Sequence, residues 1–311
     1  MVPKQRIVQI LSRHGAVVSG ETLSAELGVS RVSIWKHIKG LIQDGTPIES
    51  SPKGYRLRLD DDNLHPCLFE DRQERIHFFQ ETKSTMDEAT RLAREDCPDF
   101  TVALAQHQTN GRGRMQRAWI SEKGGLYFTM ILRPAIPLML SGLVNLAAAI
   151  DMAELLSSRY GVEAGVKWPN DILVNGKKIC GILSQMEAEG DQVVYLNIGM
   201  GLNVNNHPEK NEPNAVSLRS LLGRQVPRRE ILVGFLDVFE SRMTAWDATQ
   251  VVAEWKSRNV TLGKRVRVET LRQKVEGTAV DLDDHGGLIL QMDDGSRQTV
   301  VHGDCFLLGD Q

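Results

Sequence analysis

Residues 167–181 read Lys-Trp-Pro-Asn-Asp-Ile-Leu-Val-Asn-Gly-Lys-Lys-Ile-Cys-Gly, and this stretch predicts a β-hairpin in the middle of the chain. The dipeptide Asn175-Gly176 is typical of two-residue hairpin turns, because both central positions of such a turn need a positive φ. The residues before the turn predict a strand over 171–174, and those after it predict a strand over 181–187. The stretch therefore places a strand–turn–strand unit at the centre of the chain.

Polar side chains at both ends of this hairpin have two interpretations. Asn170 and Asp171 can satisfy the backbone of their own turn, or they can face a ligand from the start of the strand. Lys177 and Lys178 are expected at the exposed tip, although one of them can point back over the sheet. Taken alone, the hairpin favours the simpler interpretation, a turn with a solvated tip.

Outward from the hairpin, apolar periodicity predicts an α+β central domain over residues 65–262. Further strands are predicted over 101–106, 126–132 and 193–199, and helices over 87–95, 138–160 and 229–256. Residues 263–311 contain only strand-like patterns, which predict a small β-barrel with strands over 266–270, 277–282, 288–292 and 298–301. This barrel has few apolar residues, so we expect it to pack on the central domain.

Residues 1–59 carry the pattern of a winged helix-turn-helix. Helices are predicted over 4–13 and 21–27 and from Arg31 onward, with a short turn between the second and the third. A hairpin with turn residues at its tip follows at 48–58, as in the wing of this motif. The acidic stretch 60–63 is interpreted as the linker. We expect four residues of the third helix to face inward: Ile34, Ile38, Leu41 and Ile42.

The opposite face of the third helix predicts contacts with DNA, because the second helix of a helix-turn-helix enters the major groove. Residues near its start are expected to face base edges, and wing residues to meet phosphates. The alternative is a small helical domain that binds another protein. The predicted DNA contacts are Ser30, Arg31, Ser33, Lys36 and His37 in the helix, and Lys53, Arg56 and Arg58 in the wing.

Charge is distributed unevenly along the chain. The formal net charge is −3, yet residues 1–58 hold nine Lys or Arg against four Asp or Glu. This basic excess of five leaves −8 for the rest of the chain. A basic N-terminal segment followed by an acidic remainder favours a nucleic-acid partner at the N-terminal end only.

Composition predicts a globular protein of a reducing compartment, which we expect to be the cytoplasm. Hydrophobic residues make up 41% and charged residues 25% of the chain, as in globular proteins. The four cysteines form no Cys-x-x-Cys pair, which argues against a structural zinc site or a disulfide framework. The apolar stretch 138–156 is interrupted by polar residues, so we interpret it as a core helix and expect no membrane partner.

A second distinctive run lies between two predicted strands, at residues 106–119: Gln-His-Gln-Thr-Asn-Gly-Arg-Gly-Arg-Met-Gln-Arg-Ala-Trp. Glycines alternate with arginines, which predicts a mobile cationic loop able to gather a polyphosphate or an acyl phosphate. The alternatives are a nucleic-acid-binding segment and a solvated basic loop. No Walker A motif occurs, and Gly199-Met-Gly-Leu-Asn203 lacks the third glycine of a dinucleotide fingerprint.

The combination of these motifs resembles the biotin–protein ligase family. Gly-Arg-Gly-Arg-x-x-Arg-x-Trp is followed by Lys-Trp-Pro-Asn-Asp with a lysine seven residues on, and then by Gly-x-Gly-x-Asn. With a helix-turn-helix in front and a small, SH3-like barrel behind, the chain resembles the type that is both ligase and biotin operon repressor. The resemblance implies synthesis of biotinyl-5′-adenylate from biotin and ATP, with Mg²⁺ accompanying the nucleotide and no dedicated metal site. It further implies transfer of biotin to a lysine of the biotin carboxyl carrier protein of acetyl-CoA carboxylase, binding of operator DNA and a ligand-promoted homodimer.

The resemblance also implies roles for individual residues. Lys178 matches the lysine that contacts the biotin carboxylate, Arg114 the arginine that closes over the phosphate, and Asp171 is a candidate to orient or deprotonate the acceptor lysine. Residues matching biotin contacts are Ser84, Thr85, Gln108, Gly111, Arg112, Arg114, Lys178 and Gly181. Residues matching adenylate contacts are Arg114, Arg117, Trp119, Asn170, Asp171 and Asn203.

Two departures from the family pattern bear on ligand binding. Met115-Gln116 stands where relatives usually have Arg-Gly, and Met86 stands where they usually have Asn. The sequence leaves three other functions open: a lipoate or octanoate ligase, a biotin-sensing repressor without catalysis, and a winged-helix regulator with an unrelated metabolite domain.

Overall fold

The N-terminal domain is built from helices and a hairpin whose ends are set by local capping. The computed structural model describes residues 3–43, 45–58, 62–270 and 273–308. Ser19 accepts a hydrogen bond from the Thr22 amide at the start of the second helix, and Gly28 ends that helix with a φ of +66°. The elements are α1 (Pro3–His14), α2 (Gly20–Leu27), α3 (Arg31–Gln43), β1 (Ile48–Ser51) and β2 (Gly54–Leu57).

The core of this domain confirms the predicted winged helix, with one exception. Ile42 is 41% exposed, so its prediction as an inward residue is wrong. It lies about 80° around the helix from Ile34, in the last turn and beyond the stripe that the core covers. The buried side chains include Ile7, Leu11, Leu23, Ile34, Ile38, Leu41 and Leu57.

The segment after the wing belongs partly to the central domain. Of the predicted linker, Asp60 and Asp61 lie outside the described residues. Asp62 accepts a hydrogen bond from the buried Arg228 side chain, so this residue of the predicted linker is attached to the central domain.

The central domain is a mixed sheet with the strand order β3-β4-β5-β9-β8-β7-β6. β3 and β4 run parallel, and the other neighbours run antiparallel. The predicted strands are confirmed, but β3 and β6 were not predicted, because each has only four residues and, unlike the equally short β7, neither lies beside the Asn175-Gly176 turn. The bounds are β3 (Ile76–Phe79), β4 (Thr101–Ala105), β5 (Leu126–Leu132), β6 (Ala164–Lys167), β7 (Asp171–Val174), β8 (Lys177–Glu189) and β9 (Gln192–Leu202).

Helices cover the two faces of this sheet unequally. On one face, α5 packs against the strands, and α7 and α8 pack against α5. On the other face, α4 packs against β4, β5 and β9, which leaves the surface over β8 and β7 open. A single helix over 229–256 was wrong, because Asp247 caps a new helix there. The bounds are α4 (Thr85–Arg94), α5 (Ser141–Tyr160), α6 (Leu218–Leu222), α7 (Arg228–Thr244) and α8 (Ala248–Arg258).

The apolar stretch around α5 is a core helix in this structure. Leu138–Tyr160 is long and apolar enough to cross a membrane, but 61% of its most apolar 18-residue stretch is buried inside the protein. Its side chains pack under the sheet, as predicted for an interrupted apolar run.

The C-terminal residues form an antiparallel sheet with the order β13-β12-β11-β10-β14. Its buried side chains, among them Val266, Leu288 and Leu290, belong to the same hydrophobic core as α5. The Trp168 indole N–H also donates to the Gly286 carbonyl at 2.9 Å. The predicted packing on the central domain is therefore confirmed. The bounds are β10 (Arg265–Glu269), β11 (Lys274–Leu282), β12 (Leu288–Gln291), β13 (Arg297–Val300) and β14 (Asp304–Leu307), the last of which was not predicted.

Candidate active site and nucleic-acid interface

A cleft of about 690 Å³ lies on the face of the central sheet that α4 leaves open. Every residue predicted for the biotin and adenylate sites lines this cleft except Gly111, whose carbonyl accepts a hydrogen bond from the Trp119 amide at 2.8 Å. The lining residues from the prediction are Ser84, Thr85, Gln108, Arg112, Arg114, Arg117, Trp119, Asn170, Asp171, Lys178, Gly181 and Asn203. The structure thus brings together residues spread over 120 positions of sequence.

A β-bulge directs Lys178 into the cleft. The register between β7 and β8 shifts after Ile172, so that Leu173 pairs with Lys178 while Asp171 pairs with Gly181. Without the extra residue, Lys178 and Gly181 would face opposite sides of the strand, because side chains alternate. The simple prediction of an exposed tip is therefore wrong for Lys178, whereas Lys177 is exposed.

The Lys178 ammonium is held by an anion and by an aromatic ring. Its Nζ lies 2.7 Å from Asp171 Oδ1 and 5.3 Å from the centre of a Trp119 ring. Lys167 Nζ lies 3.9 Å from the other Asp171 oxygen, and this contact was not predicted. Asp171 therefore faces the cleft between two cations, and the interpretation that it serves only its own turn is wrong.

Two glycines form the floor on which the Trp119 indole rests. A Cβ atom at Gly201 would lie 2.4 Å from the indole Cε2, and one at Gly181 would lie 2.9 Å from Cζ3. Both distances are shorter than real Cβ contacts, so a side chain at either position would displace the ring. This close approach explains the second glycine of Gly-x-Gly-x-Asn and the glycine three residues after Lys178.

A chain of buried hydrogen bonds closes one end of the cleft. Gln108 Oε1 accepts from the Thr85 amide at 2.7 Å, and Gln108 Nε2 donates to Ser121 Oγ at 2.7 Å. Thr129 Oγ1 donates to Thr85 Oγ1 at 2.9 Å. Thr129 and Ser121 were not predicted. A lone threonine inside the apolar strand Leu126–Leu132 was the available signal for the first.

The arginines of the loop lie around the middle of the cleft. Arg112 pairs with Asp87, and Arg114 Nη1 donates to Asn170 Oδ1 at 3.3 Å. Burial lowers the pKa of the Arg114 guanidinium, against the opposing attraction of Asp304 and Asp171. A partly desolvated cation interacts strongly with an anion that enters the same space.

The loop departs from ideal backbone geometry where its sequence departs from the family pattern. Met115 and Gln116 have φ angles of +49° and +61°, a region that glycine occupies without steric cost. Gln116 stands where relatives usually have glycine, so ordering this turn costs more here. Met86, the other departure, is buried and its Cε lies 2.7 Å from where a Cβ of Gly199 would stand.

The C-terminal sheet completes the wall of the cleft through β14, which sequence reasoning missed. Arg117 Nη2 lies 2.5 Å from Asp304 Oδ2, and the Arg117 guanidinium lies 5.6 Å from the centre of the Phe306 ring. Burial raises the pKa of Cys305, in the same strand, to about 11, so this thiol is neutral at physiological pH. The loop arginines therefore contact three separate parts of the chain, at Asp87, Asn170 and Asp304.

The predicted DNA-binding residues are exposed or half-buried on the surface of the winged-helix domain, and Arg31 and Lys53 line one surface pocket of it. Arg31, Lys36, Lys53 and Arg56 are exposed, and Ser33 and His37 are half-buried. Ser30 Oγ accepts from the Ser33 amide at 3.2 Å and so caps α3, and Arg58 pairs with Glu49 at 2.6 Å.

Two apolar residues on the same face were not predicted. Val32 is 63% and Trp35 is 51% exposed, although both belong to the helix that would enter the groove. Lys39 Nζ lies 5.2 Å from the centre of a Trp35 ring, so cations surround this apolar patch. Their exposure could have been predicted from the helical spacing, because neither residue falls on the apolar stripe of α3 that faces inward.

Family models match three segments of the chain. The "Biotin/lipoate A/B protein ligase family" matches residues 78–203, the "Biotin protein ligase C terminal domain" matches 261–308, and an "HTH domain" matches 4–56. A bifunctional ligase/repressor BirA of Bacillus spizizenii is 34% identical, covering 95% of this chain and 96% of that protein. A biotin–[acetyl-CoA-carboxylase] ligase of Mycobacterium tuberculosis is 35% identical, covering 65% of this chain and 77% of that protein.

A solved structure agrees with these matches. The biotin protein ligase from Aquifex aeolicus in complex with biotin and ATP superposes with a TM-score of 0.65 at 26% identity, covering 76% of this chain and 99% of that one. The resemblance drawn from the motifs is confirmed, and an unrelated metabolite domain is excluded. The chain belongs to the biotin–protein ligase family, in the form that carries an N-terminal helix-turn-helix domain.

Proposed function

We propose that this protein is an ATP-dependent biotin–protein ligase that also represses transcription in response to biotin. It forms biotinyl-5′-adenylate and transfers biotin to a lysine of the biotin carboxyl carrier protein of acetyl-CoA carboxylase. The observation that carries the ligase is the cleft itself, in which Lys178, Asp171 and Arg114 stand beside a buried polar end. We propose three units, residues 1–59, 65–262 and 263–311, acting together in the cytoplasm.

The polar end of the cleft favours biotin over lipoate. The ureido ring of biotin offers N–H donors and a carbonyl acceptor, whereas the dithiolane ring of lipoate offers neither. The Gln108 amide carries two N–H donors and gives one of them to Ser121 Oγ, so its second donor can bond to the ureido carbonyl, whereas a ring without hydrogen-bonding groups would leave that donor unpaired in a buried place. Sites of this kind reject the analogue that lacks the group by large factors. We assign biotin contacts to Ser84, Thr85, Gln108, Gly111, Arg112, Arg114, Lys178 and Gly181.

The first chemical step joins two anions. A carboxylate oxygen of biotin attacks the α-phosphorus of ATP, the bond to the bridging oxygen breaks, and pyrophosphate leaves. Lys178 and Arg114 reduce the repulsion between the reactants and stabilise the negative charge of the transition state. Within the described residues no three His, Cys, Asp or Glu side chains cluster as metal ligands, and we expect Mg²⁺ to arrive with the triphosphate. Adenylate contacts are assigned to Arg114, Arg117, Trp119, Asn170, Asp171 and Asn203.

The second step transfers the acyl group. The ε-amine of the carrier lysine attacks the acyl carbon, the bond from that carbon to the phosphate oxygen breaks, and AMP leaves. The attacking amine must lose a proton, and Asp171 is the carboxylate in the cleft nearest to Lys178. Because Asp171 Oδ1 already holds Lys178 at 2.7 Å, we assign it first to positioning that lysine and second to orienting the incoming amine.

The half-reaction provides a direct test of the ligase. Exchange of labelled pyrophosphate into ATP should require biotin and should not proceed with lipoate at the same concentration. Exchange that is supported by lipoate alone would move the assignment to a lipoate ligase. Absence of exchange with either acid would favour a sensor that has lost catalysis.

The winged helix supports the second function, binding of operator DNA. Winged helices of this kind bind paired half-sites as dimers, so we propose that biotinyl-5′-adenylate orders residues 111–119 and promotes a homodimer. Sedimentation velocity should show a shift from monomer to dimer when biotin and ATP are added. An unchanged sedimentation coefficient would contradict the ligand-promoted dimer.

Trp35→Ala should weaken specific DNA binding by about tenfold or more, because the indole is the largest exposed apolar group on α3 and each good base contact is worth roughly 1–3 kcal/mol. Ile42→Ala is the matched control, since Ile42 is an exposed apolar residue at the far end of the same helix. Electrophoretic mobility shifts with DNA selected from a random library measure both variants. Equal losses in the two variants would place the contact elsewhere.

A further inference from the structure

Arg228, the first residue of α7, is buried at 2% exposure and binds three separate parts of the chain. Its Nε donates to Asp62 Oδ1 at 2.7 Å, and its Nη1 donates to the Gly125 carbonyl at 2.8 Å. Its Nη2 donates to Gln106 Oε1 at 3.1 Å and to the Asp62 carbonyl at 3.1 Å. None of these residues belongs to the cleft described above, so the contacts need another explanation.

Two of the three partners are the ends of the ligand loop. Gln106 directly follows β4, and Gly125 directly precedes β5. The residues between them include Gln108 and Trp119, which line the cleft. Arg228 therefore fixes both points at which the loop leaves the rigid sheet.

The third partner begins the segment that leads to the winged helix. A few residues after Asp62, His65 Nε2 lies 2.9 Å from Thr46 Oγ1 of the N-terminal domain. Cys67 and Leu68 pack against the core of that domain. A displacement of Asp62 is thus passed on to the DNA-binding domain within a few residues.

A guanidinium is suited to connecting these elements, because its donors are fixed in one plane and cannot move independently. Removal of one partner leaves a buried donor unpaired, so the three contacts favour one another. A shift of either loop end changes the direction in which the group can meet Asp62.

We propose that Arg228 is a positioning residue that couples the ligand loop to the segment bearing the winged helix. Ordering of the loop by biotinyl-5′-adenylate then restrains residues 62–69, and by reciprocity the contact at Asp62 slows release of the adenylate. This inference rests on the proposed function, since it requires that the adenylate forms in the cleft.

Asp62→Asn tests the coupling in the full-length protein, because the amide keeps an acceptor but loses the charge. The matched control is Asp237→Asn, which in the same way removes the charge from a 2.8 Å ion pair with Arg72. That ion pair joins α7, the helix of Arg228, to Arg72, which follows shortly after residues 62–69, and it does not involve the loop. Gln106→Leu is a second variant, which removes a loop contact and leaves Asp62 intact.

Amide hydrogen exchange with biotin, ATP and Mg²⁺ should show slowed exchange in both 107–124 and 62–69 of the wild type and of the control. In Asp62→Asn and Gln106→Leu, protection of 107–124 should persist, protection of 62–69 should be lost, and the adenylate should dissociate about fivefold faster or more. Ligand-induced protection of 62–69 in these variants equal to that in the wild type would overturn the coupling. Protection of 107–124 alone in the wild type would overturn it and leave the ligase standing, whereas no protection anywhere, together with no pyrophosphate exchange, would overturn both.

Discussion

Lys178→Ala is expected to reduce biotin transfer by about 10²-fold to 10³-fold, the range seen when a fixed group that stabilises transition-state charge is removed. The bulge in β8 directs this ammonium into the cleft, where it stands 2.7 Å from Asp171. Without it, the biotin carboxylate and the ATP phosphates meet with one cation fewer, and the Asp171 carboxylate adds to the repulsion. Initial rates of biotin incorporation into a carrier domain measure the loss.

Lys177→Ala is the matched control for this prediction. It removes the neighbouring lysine of the same hairpin, which is exposed at the tip and does not line the cleft. Its rate should stay within about twofold of the wild type, as for a surface substitution. A Lys178→Ala protein that keeps a tenth of the activity, or a Lys177→Ala protein that loses most of it, would contradict the assigned role.

Gly201→Ala is expected to weaken adenylate binding by about 10²-fold. The added methyl group would meet the Trp119 indole at 2.4 Å, so the ring must leave its position on the sheet. Overpacking of this kind costs roughly 1–3 kcal/mol, and here the cost falls on the residue that closes the cleft. Isothermal titration with biotinyl-5′-adenylate measures the affinity.

The control for the glycine is Gly142→Ala, because a Cβ at Gly142 in α5 would meet only the His285 carbonyl, at an ordinary 3.8 Å. Affinity in this variant should equal that of the wild type. Equal affinities in Gly201→Ala and the wild type would show that the indole does not depend on the glycine floor.

Much of the fold followed from local patterns in the sequence. The Asn175-Gly176 turn is a short-range effect and was predicted from residue types alone, and the caps at Ser19 and Gly28 are effects of the same short range. The same reasoning failed where tertiary contacts decide the outcome. Ile42 follows the helical spacing but lies beyond the edge of a small core, and Asp247 ends one long helical pattern because it caps a second helix.

The site was predicted by resemblance more than by pattern, and its unpredicted parts have physical reasons. The local sequence does not predict the bulge that turns Lys178 inward, because a bulge is a property of the pairing of two strands. Thr129, Asp304 and Phe306 come from strands far apart in sequence and line one cleft only in the folded chain. Arg228 is similar, because no pattern in the sequence distinguishes it from a surface arginine and only the structure shows it buried.

The most direct test of the central claim is the mass of a biotin-carrier domain after incubation with the protein, ATP, Mg²⁺ and biotin, with lipoate in a parallel reaction. We expect that the carrier gains the mass of one biotinyl group, that no lipoyl adduct forms, and that the gain disappears in Lys178→Ala. A carrier that keeps its mass with biotin while the wild-type protein is folded, or that gains lipoate instead, would contradict the claim.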